Sequence, residues 1–196
     1  GFYGMKLLIV GGLGFLGKHC LEQLSQHDVT IIGRSTLSEP LVSINHRYHQ
    51  LDVTNTQLTQ IFINSHQFSH LLYLSWPPTP PHNDVEHINF AHATLEFLKV
   101  FGLKNPSARV VMTGSIHETG FSQGLVPDDF EGAEPKNLYG ISKRYVHDCA
   151  TVLCAELLKD LSFCWARLSN VYGAGDHANK LISMMIANSI AGKDFE

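Results

Sequence analysis

Long apolar runs are missing from this sequence. None approaches the ~18 residues that a membrane-spanning helix needs, so no membrane association is expected. An excess of charge of one sign is missing too: the formal net charge is −4 with histidine neutral, which leaves no basic field for nucleic acid or an anionic bilayer. Cysteine is sparse. Cys20, Cys149, Cys154 and Cys164 show no Cys-x-x-Cys spacing and lie in apolar stretches, which argues against a disulfide framework or a zinc site and predicts buried free thiols in a reducing, cytoplasmic compartment. The 12 histidines follow no metal-ligand pattern and read as solvated surface, so no metal is expected. Repeats, low-complexity tracts and linkers are also lacking, and the chain of 196 residues is expected to form one domain from Met5 to Glu196. Gly1-Phe-Tyr-Gly4 reads as an added remnant, without a signal-peptide layout.

What is present is 44% hydrophobic and 16% charged residues, the balance of an ordinary globule. Short β-rich runs alternate with helical periodicity, which predicts a doubly wound α/β domain: a parallel sheet with helices on both faces, of Rossmann type. Strands are expected at Lys6–Val10, Asp28–Gly33, near Arg47–Leu51, at Ser69–Ser75, Arg109–Thr113 and Ser162–Leu168. Helices are expected after Phe15, over about Asn55–His66, along a stripe of Val85, Ile88, Ala91, Leu95 and Leu98, over Leu138 to about Lys159, and at Leu181–Ile190. Trp76-Pro-Pro-Thr-Pro-Pro81 has too many prolines for helix or central strand and is expected to be a stiff loop at a strand end.

Val10-Gly-Gly-Leu-Gly-Phe-Leu-Gly17 stands between the first strand and the first helix. Gly11, Gly14 and Gly17 are spaced for a tight turn, close backbone approach to a pyrophosphate, and helix packing, with Phe15 and Leu16 opening the helix toward the phosphates. A dinucleotide is therefore the expected cofactor. A site for NAD usually carries a carboxylate about 20 residues downstream, on the ribose hydroxyls. Here the second strand ends Ile32-Gly33-Arg34-Ser35, with no acid at its end. Arg34 and Ser35 suit a 2′-phosphate, which tilts the cofactor to NADP with NAD still possible, although Arg34 as a solvated turn residue is the plainer alternative. Asp52 either accepts from the adenine amino group or caps the next helix.

Tyr139 and Lys143 stand four apart in Leu-Tyr-Gly-Ile-Ser-Lys and share a helix face. That spacing allows the lysine to favour the phenolate. A tyrosine acting near neutral pH needs its pKa lowered by roughly 3 units, or about 4 kcal/mol, which Lys143 and an oxidised nicotinamide are expected to supply. Because ligands gather at the carboxyl ends of strands in open α/β sheets, the site is expected between the fourth and fifth strand ends and the Tyr139 helix. Leu74, Ser75 and Trp76 then lie beside the cofactor, with Trp76 and the proline loop as one wall.

With these motifs in order, the chain resembles an extended short-chain dehydrogenase/reductase of the NAD-dependent epimerase/dehydratase family, which acts on nucleotide sugars. The resemblance rests on the loop at 11–17, Leu51-Asp52-Val53, Asn89, Thr113-Gly114-Ser115, the Tyr139 and Lys143 pair, and Arg167-Leu-Ser-Asn-Val-Tyr-Gly-Ala-Gly-Asp176. It implies that Tyr139 is the general acid/base, that Lys143 binds the nicotinamide ribose, that Ser115 holds the reacting carbonyl or hydroxyl, and that Asp52 and Val53 line the adenine. Asn89 is either a satisfied buried amide or part of a proton relay. Asn170 is implied to contact substrate, and His117, two residues after Ser115, is a further candidate contact. A homodimer through the Asn89 and Tyr139 helices is implied by the family alone.

Two departures from the family pattern shape the functional reading. Ser115-Ile116-His117 stands where the family's dehydratases carry an Asp-Glu pair, and Glu118 alone does not restore it, so a 4,6-dehydratase is disfavoured. Family members also continue for roughly another hundred residues that form the sugar-nucleotide pocket, whereas this sequence stops at Phe195-Glu196 where that part should begin, so the C-terminal substrate subdomain is expected to be missing or truncated. The expectation is an NAD(P)(H)-dependent oxidoreductase reducing a keto group of a nucleotide sugar with Tyr139 as proton donor. The alternatives are a nucleotide-sugar epimerase with tightly bound NAD and a catalytically idle NADP(H)-binding module.

Overall fold

A computed structural model describes residues 5–77, 81–120, 133–178 and 180–193. The elements run β1 (Lys6–Val10), α1 (Phe15–Gln23), β2 (Asp28–Gly33), β3 (His46–Gln50), α2 (Thr56–Asn64), β4 (His70–Tyr73), α3 (Glu86–Lys104), β5 (Arg109–Ser115), a 3-10 turn (Ile116–Thr119), α4 (Leu138–Glu156), β6 (Ser162–Leu168) and α5 (Leu181–Ile190). The six strands are all parallel, in the order β3-β2-β1-β4-β5-β6. This is the Rossmann arrangement, and the order reverses between β1 and β4. The remnant expected at 1–4 and Pro78, Thr79 and Pro80 of the proline loop lie outside the described residues.

The strands alternate between two cores. Leu8 and Val10 of β1 join Leu71, Tyr73, Val110 and Met112 beneath Phe90, Phe97 and Phe101 of α3 and Ala150 of α4. Leu7 and Ile9 point the other way, with Val29 and Ile31, under Leu21 of α1. Burial on both sides is why β1 and β2 read as near-continuous apolar runs. Two asparagines start helices: the Asn55 side chain accepts from Leu58 N at 3.1 Å, and that of Asn137 from Gly140 N at 2.8 Å.

Several expectations are corrected. α3 does not bury Val85 or Ile88, which are exposed; its inner face is His87, Phe90, Ala91, Thr94, Phe97, Leu98 and Phe101. Polar residues can occupy that face because they are satisfied there, Thr94 by the Tyr73 hydroxyl at 3.1 Å. β5 continues to Ser115, and the 3-10 turn that follows is started by a capping box of Ser115 and Glu118, an S-x-x-E pattern that the sequence carries. Asp52 does not cap α2; Asn55 does. Of the four free cysteines Cys154 alone is fully buried, and Cys164 is exposed because β6 is an edge strand with one open face.

Candidate active site

Glycine at two positions shapes the loop after β1. Gly11 has a φ of 82°, in the left-handed region, and a Cβ there would come within 3.0 Å of Ser75 N at the end of β4. A Cβ on Gly17 would lie 2.3 Å from the Gly12 carbonyl oxygen, so only glycine lets α1 start this close to the strand end. Gly14 is the N-cap of α1 and provides no side-chain bond to its first amides. Those amides, with the positive end of the helix dipole, face the carboxyl ends of β1 and β4 at the switch point, and they fit a pyrophosphate. Phe15 and Leu16 form the first turn, and Leu74 N donates to Val10 O at 2.9 Å, drawing the Ser75 backbone against the loop.

Further along the same rim, the Arg34 guanidinium reaches Glu86 Oε1 of α3 at 3.5 Å and lies 5.6 Å from the centre of the Phe90 ring. The side chain remains half-exposed, with 45% of its surface open. The Tyr48 hydroxyl reaches the Gly33 carbonyl at 2.8 Å and also the Ser35 carbonyl, which ties down the turn that carries Arg34. Asp52 accepts from Thr54 N at 2.9 Å and Thr54 Oγ1 at 2.7 Å through one carboxylate oxygen, and Val53 is buried beside it.

The catalytic candidates gather where β5 ends and α4 begins. Tyr139 N donates to the His82 carbonyl at 2.8 Å and Leu138 N to Asn83 Oδ1 at 3.1 Å, so the segment leading into α3 is fastened to the first turn of α4. One turn on, Lys143 is buried. Its ammonium donates to the Thr113 carbonyl at 2.8 Å and sits 4.1 Å from the centre of the Trp76 ring. Burial pushes the Lys143 pKa down to about 7, against the opposing pull of Glu118. Ser115, at the end of β5, accepts from His117 N at 3.2 Å and faces the phenol of Tyr139.

Burial dominates both members of the pair. Burial raises the Tyr139 pKa, the facing Ser115 hydroxyl opposes the rise, and Glu118 adds to it. The lysine amine is turned to Thr113 and Trp76, and its own charge is penalised by the same loss of water, so in this structure it does not hold the phenol low.

Around Tyr139 lies a group of rings that the sequence did not reveal. His82 stacks on it at 5.6 Å between centres, His87 and His117 lie at 5.2 and 5.3 Å, and Trp76 meets it edge-on at 6.2 Å. His82 and His117 are themselves 4.8 Å apart, and the His117 pKa is lowered by burial and by His82. The Trp76 indole donates to His87 Nδ1 at 3.1 Å, which leaves Nε2 to donate to the Pro81 carbonyl at 3.0 Å. Of the three, His87 is buried rather than on the solvated surface expected of it, whereas His82 and His117 are exposed. The available signal was the place of His82 and His87 directly after the proline loop, at the entry to α3, and of His117 two residues after Ser115.

Thus Ser115, His117, Tyr139, Lys143 and Trp76 come together, whereas Asn89 and Asn170 are exposed. Asn89 is therefore not a buried amide; one helical turn geometry puts His87, two residues earlier, on the inner face instead. Among the described residues no group of three His, Cys, Asp or Glu side chains could hold a metal ion, and no helix is long and apolar enough to cross a membrane.

The model of the NAD dependent epimerase/dehydratase family matches residues 7–196. A search of curated protein sequences finds no match. Among solved structures, the Bordetella bronchiseptica enzyme WbmG in complex with NAD superposes with a TM-score of 0.81 at 20% identity, over 99% of this chain and 62% of that one. UDP-N-acetylglucosamine 4-epimerase from Methanobrevibacter ruminantium, in complex with UDP-N-acetylmuramic acid, gives 0.81 at 18% identity, over 97% of this chain and 64% of that one. The dTDP-glucose 4,6-dehydratase DesIV from Streptomyces venezuelae, a double mutant with NAD bound, gives 0.75 at 19% identity, over 96% and 63%. The chain spans somewhat less than two thirds of these proteins, and at such identities the likeness establishes the fold. With the family model matched over nearly its whole length, the chain belongs to the NAD-dependent epimerase/dehydratase family.

Proposed function

We propose that this chain is the cofactor-binding and catalytic part of an NAD(P)(H)-dependent oxidoreductase that reduces a keto group of a nucleotide sugar. The observation that carries the reading is the convergence of Ser115, Tyr139 and Lys143 at the end of β5, beside the glycine loop at the switch point. A bound nicotinamide supplies the hydride. Ser115 Oγ would orient the carbonyl oxygen, and Tyr139 would give its phenolic proton to that oxygen as negative charge develops there. Lys143 would bind the nicotinamide ribose, and His117 and Asn170 are the candidate substrate contacts.

Arg34 and Ser35 support a preference for NADP. A second reading, an epimerase recycling tightly bound NAD, is favoured by the Arg34 contact with Glu86, which occupies the guanidinium that a 2′-phosphate would need. Exposed Ile88 on α3 and Ile141 and Tyr145 on α4 support pairing of two copies through these helices. The four free thiols support a reducing, cytoplasmic setting.

Two substitutions test the reading. Tyr139→Phe removes only a hydroxyl, so NADPH affinity should survive while turnover of 4-keto sugar nucleotides, followed by NADPH absorbance, falls by about 10² to 10⁴. Turnover at the wild-type rate would remove Tyr139 as the acid. Arg34→Ala should weaken NADPH selectively by about 1.5 to 3 kcal/mol, the range for a hydrogen bond to a charged group. Equal affinities for NADPH and NADH in the wild type, by nicotinamide fluorescence, would favour the epimerase reading.

A further inference from the structure

Glu118 is the one carboxylate among the described residues that is fully buried next to the catalytic candidates, with 1% of its surface exposed. An ionised carboxylate in such a place is costly unless its oxygens are fully partnered. They are. Oε1 accepts from Ser115 N at 2.5 Å and lies 3.8 Å from Arg167 Nε, and Oε2 accepts from the Trp165 indole at 2.9 Å. The cluster is close-packed: a Cβ on Gly114 would lie 2.2 Å from Trp165 Nε1 and 2.3 Å from Glu118 Oε1. The Trp165 ring in turn lies 5.9 Å from the Lys143 ammonium, on which Trp76 sits at 4.1 Å. Lys143 is thus placed between two indoles, one of which is anchored by Glu118 and the other by His87.

We propose that Glu118 is a positioning residue for the Tyr139 and Lys143 site: its carboxylate fixes the Ser115 backbone and the Trp165 indole that packs near the Lys143 ammonium, and it brings a negative charge to bear on that ammonium. Both oxygens receive N–H donors, so an amide cannot replace the carboxylate without turning its NH₂ toward one of them. The charge acts on Lys143 against desolvation, which dominates. The charge acting on the lysine amine is Glu118 from the 3-10 turn, while the amine itself donates to the Thr113 carbonyl and faces the Trp76 ring. Arg167 of β6 lies beyond Glu118, and His87 and His147 lie behind the two indoles. Arg167 lies on that carboxylate and partly neutralises it, so Glu118→Gln and Arg167→Gln should move Lys143 in opposite directions.

This inference rests on the proposed role of Lys143, but its test needs no cofactor. The chain is labelled with ¹³C at lysine Cε, and the Lys143 resonance, identified by its loss in Lys143→Met, is followed from pH 5 to 11 alongside the melting temperature. Glu118→Gln should lower the proton affinity of Lys143 by about tenfold, and Arg167→Gln should raise it. A midpoint unmoved by Glu118→Gln, or moved the same way by both, would overturn the proposal and leave Glu118 a packing residue. Should Glu118→Gln not fold, the upward shift in Arg167→Gln decides alone, and its absence is fatal to the idea. Failure of the chain to bind NADH or NADPH would instead sink the functional reading and leave this titration interpretable.

Discussion

On one face of the sheet Phe90, Phe97 and Phe101 of α3 are sealed against Leu8, Val10, Leu71 and Met112, whereas on the other Leu21 of α1 closes over Leu7, Ile9, Val29 and Ile31. The first core also takes in α2 and α4; the second belongs to α1. The difference has a chemical consequence. Tyr139 and Lys143 hang from α4 on the thickly covered side, where Tyr139 is partly buried and Lys143 fully so, and there the lysine loses its ordinary pKa. The glycine loop sits at the sheet's upper edge, between the two sides, and its amides stay available to a ligand.

The largest test of this contrast is the pH dependence of stability. Burial lowers the folded-state pKa of Lys143 from 10.5 to about 7, so between those values the unfolded chain binds a proton that the folded chain does not. The lysine's contribution therefore grows as pH rises from about 7 to 10.5 and is lost as pH falls. Urea unfolding of wild type and Lys143→Met across that window should show a difference in unfolding free energy that changes by up to about 5 kcal/mol in favour of the wild type at high pH. A difference independent of pH would mean that water reaches the amine.

Next in size are the cores themselves. Phe97→Ala on the thick side should cost about 3 to 5 kcal/mol in urea unfolding, because three helices hold the cavity open, whereas Leu21→Ala, where α1 can settle onto the strands, should fall near the low end of the range of about 2 to 5 kcal/mol. Equal losses would show that the single helix is as rigidly seated as the three. The smallest effect is expected on α5, which buries none of its residues: Met184→Gln should change stability by no more than about 0.5 kcal/mol.

The expectations of β2, β6 and α5 agree with the observed bounds because their signals are local: a β-branched apolar run, or a helical repeat, ends where the turn residues begin. α3 was misread because the alternation of apolar residues counts Val85 and Ile88 as core and His87 as surface. His87 is buried because Trp76 and the Pro81 carbonyl, from a loop before the helix, satisfy both its nitrogens. Likewise the spacing of Tyr139 and Lys143 was enough to put them on one face but not to give the direction of either pKa.

The order of motifs along the chain determined the family and, through strands alternating with helices, the parallel sheet, while the strand-to-helix glycine loop and the placing of Tyr139 and Lys143 on one helix face depend on neighbours within a few residues. Only the tertiary structure decided that Glu118 is buried under Ser115, that Trp76 and Trp165 flank the lysine, and that three histidines surround the tyrosine. Those contacts join β4, α3, β5, α4 and β6, and a side chain's loss of water is set by everything packed around it, however distant in sequence.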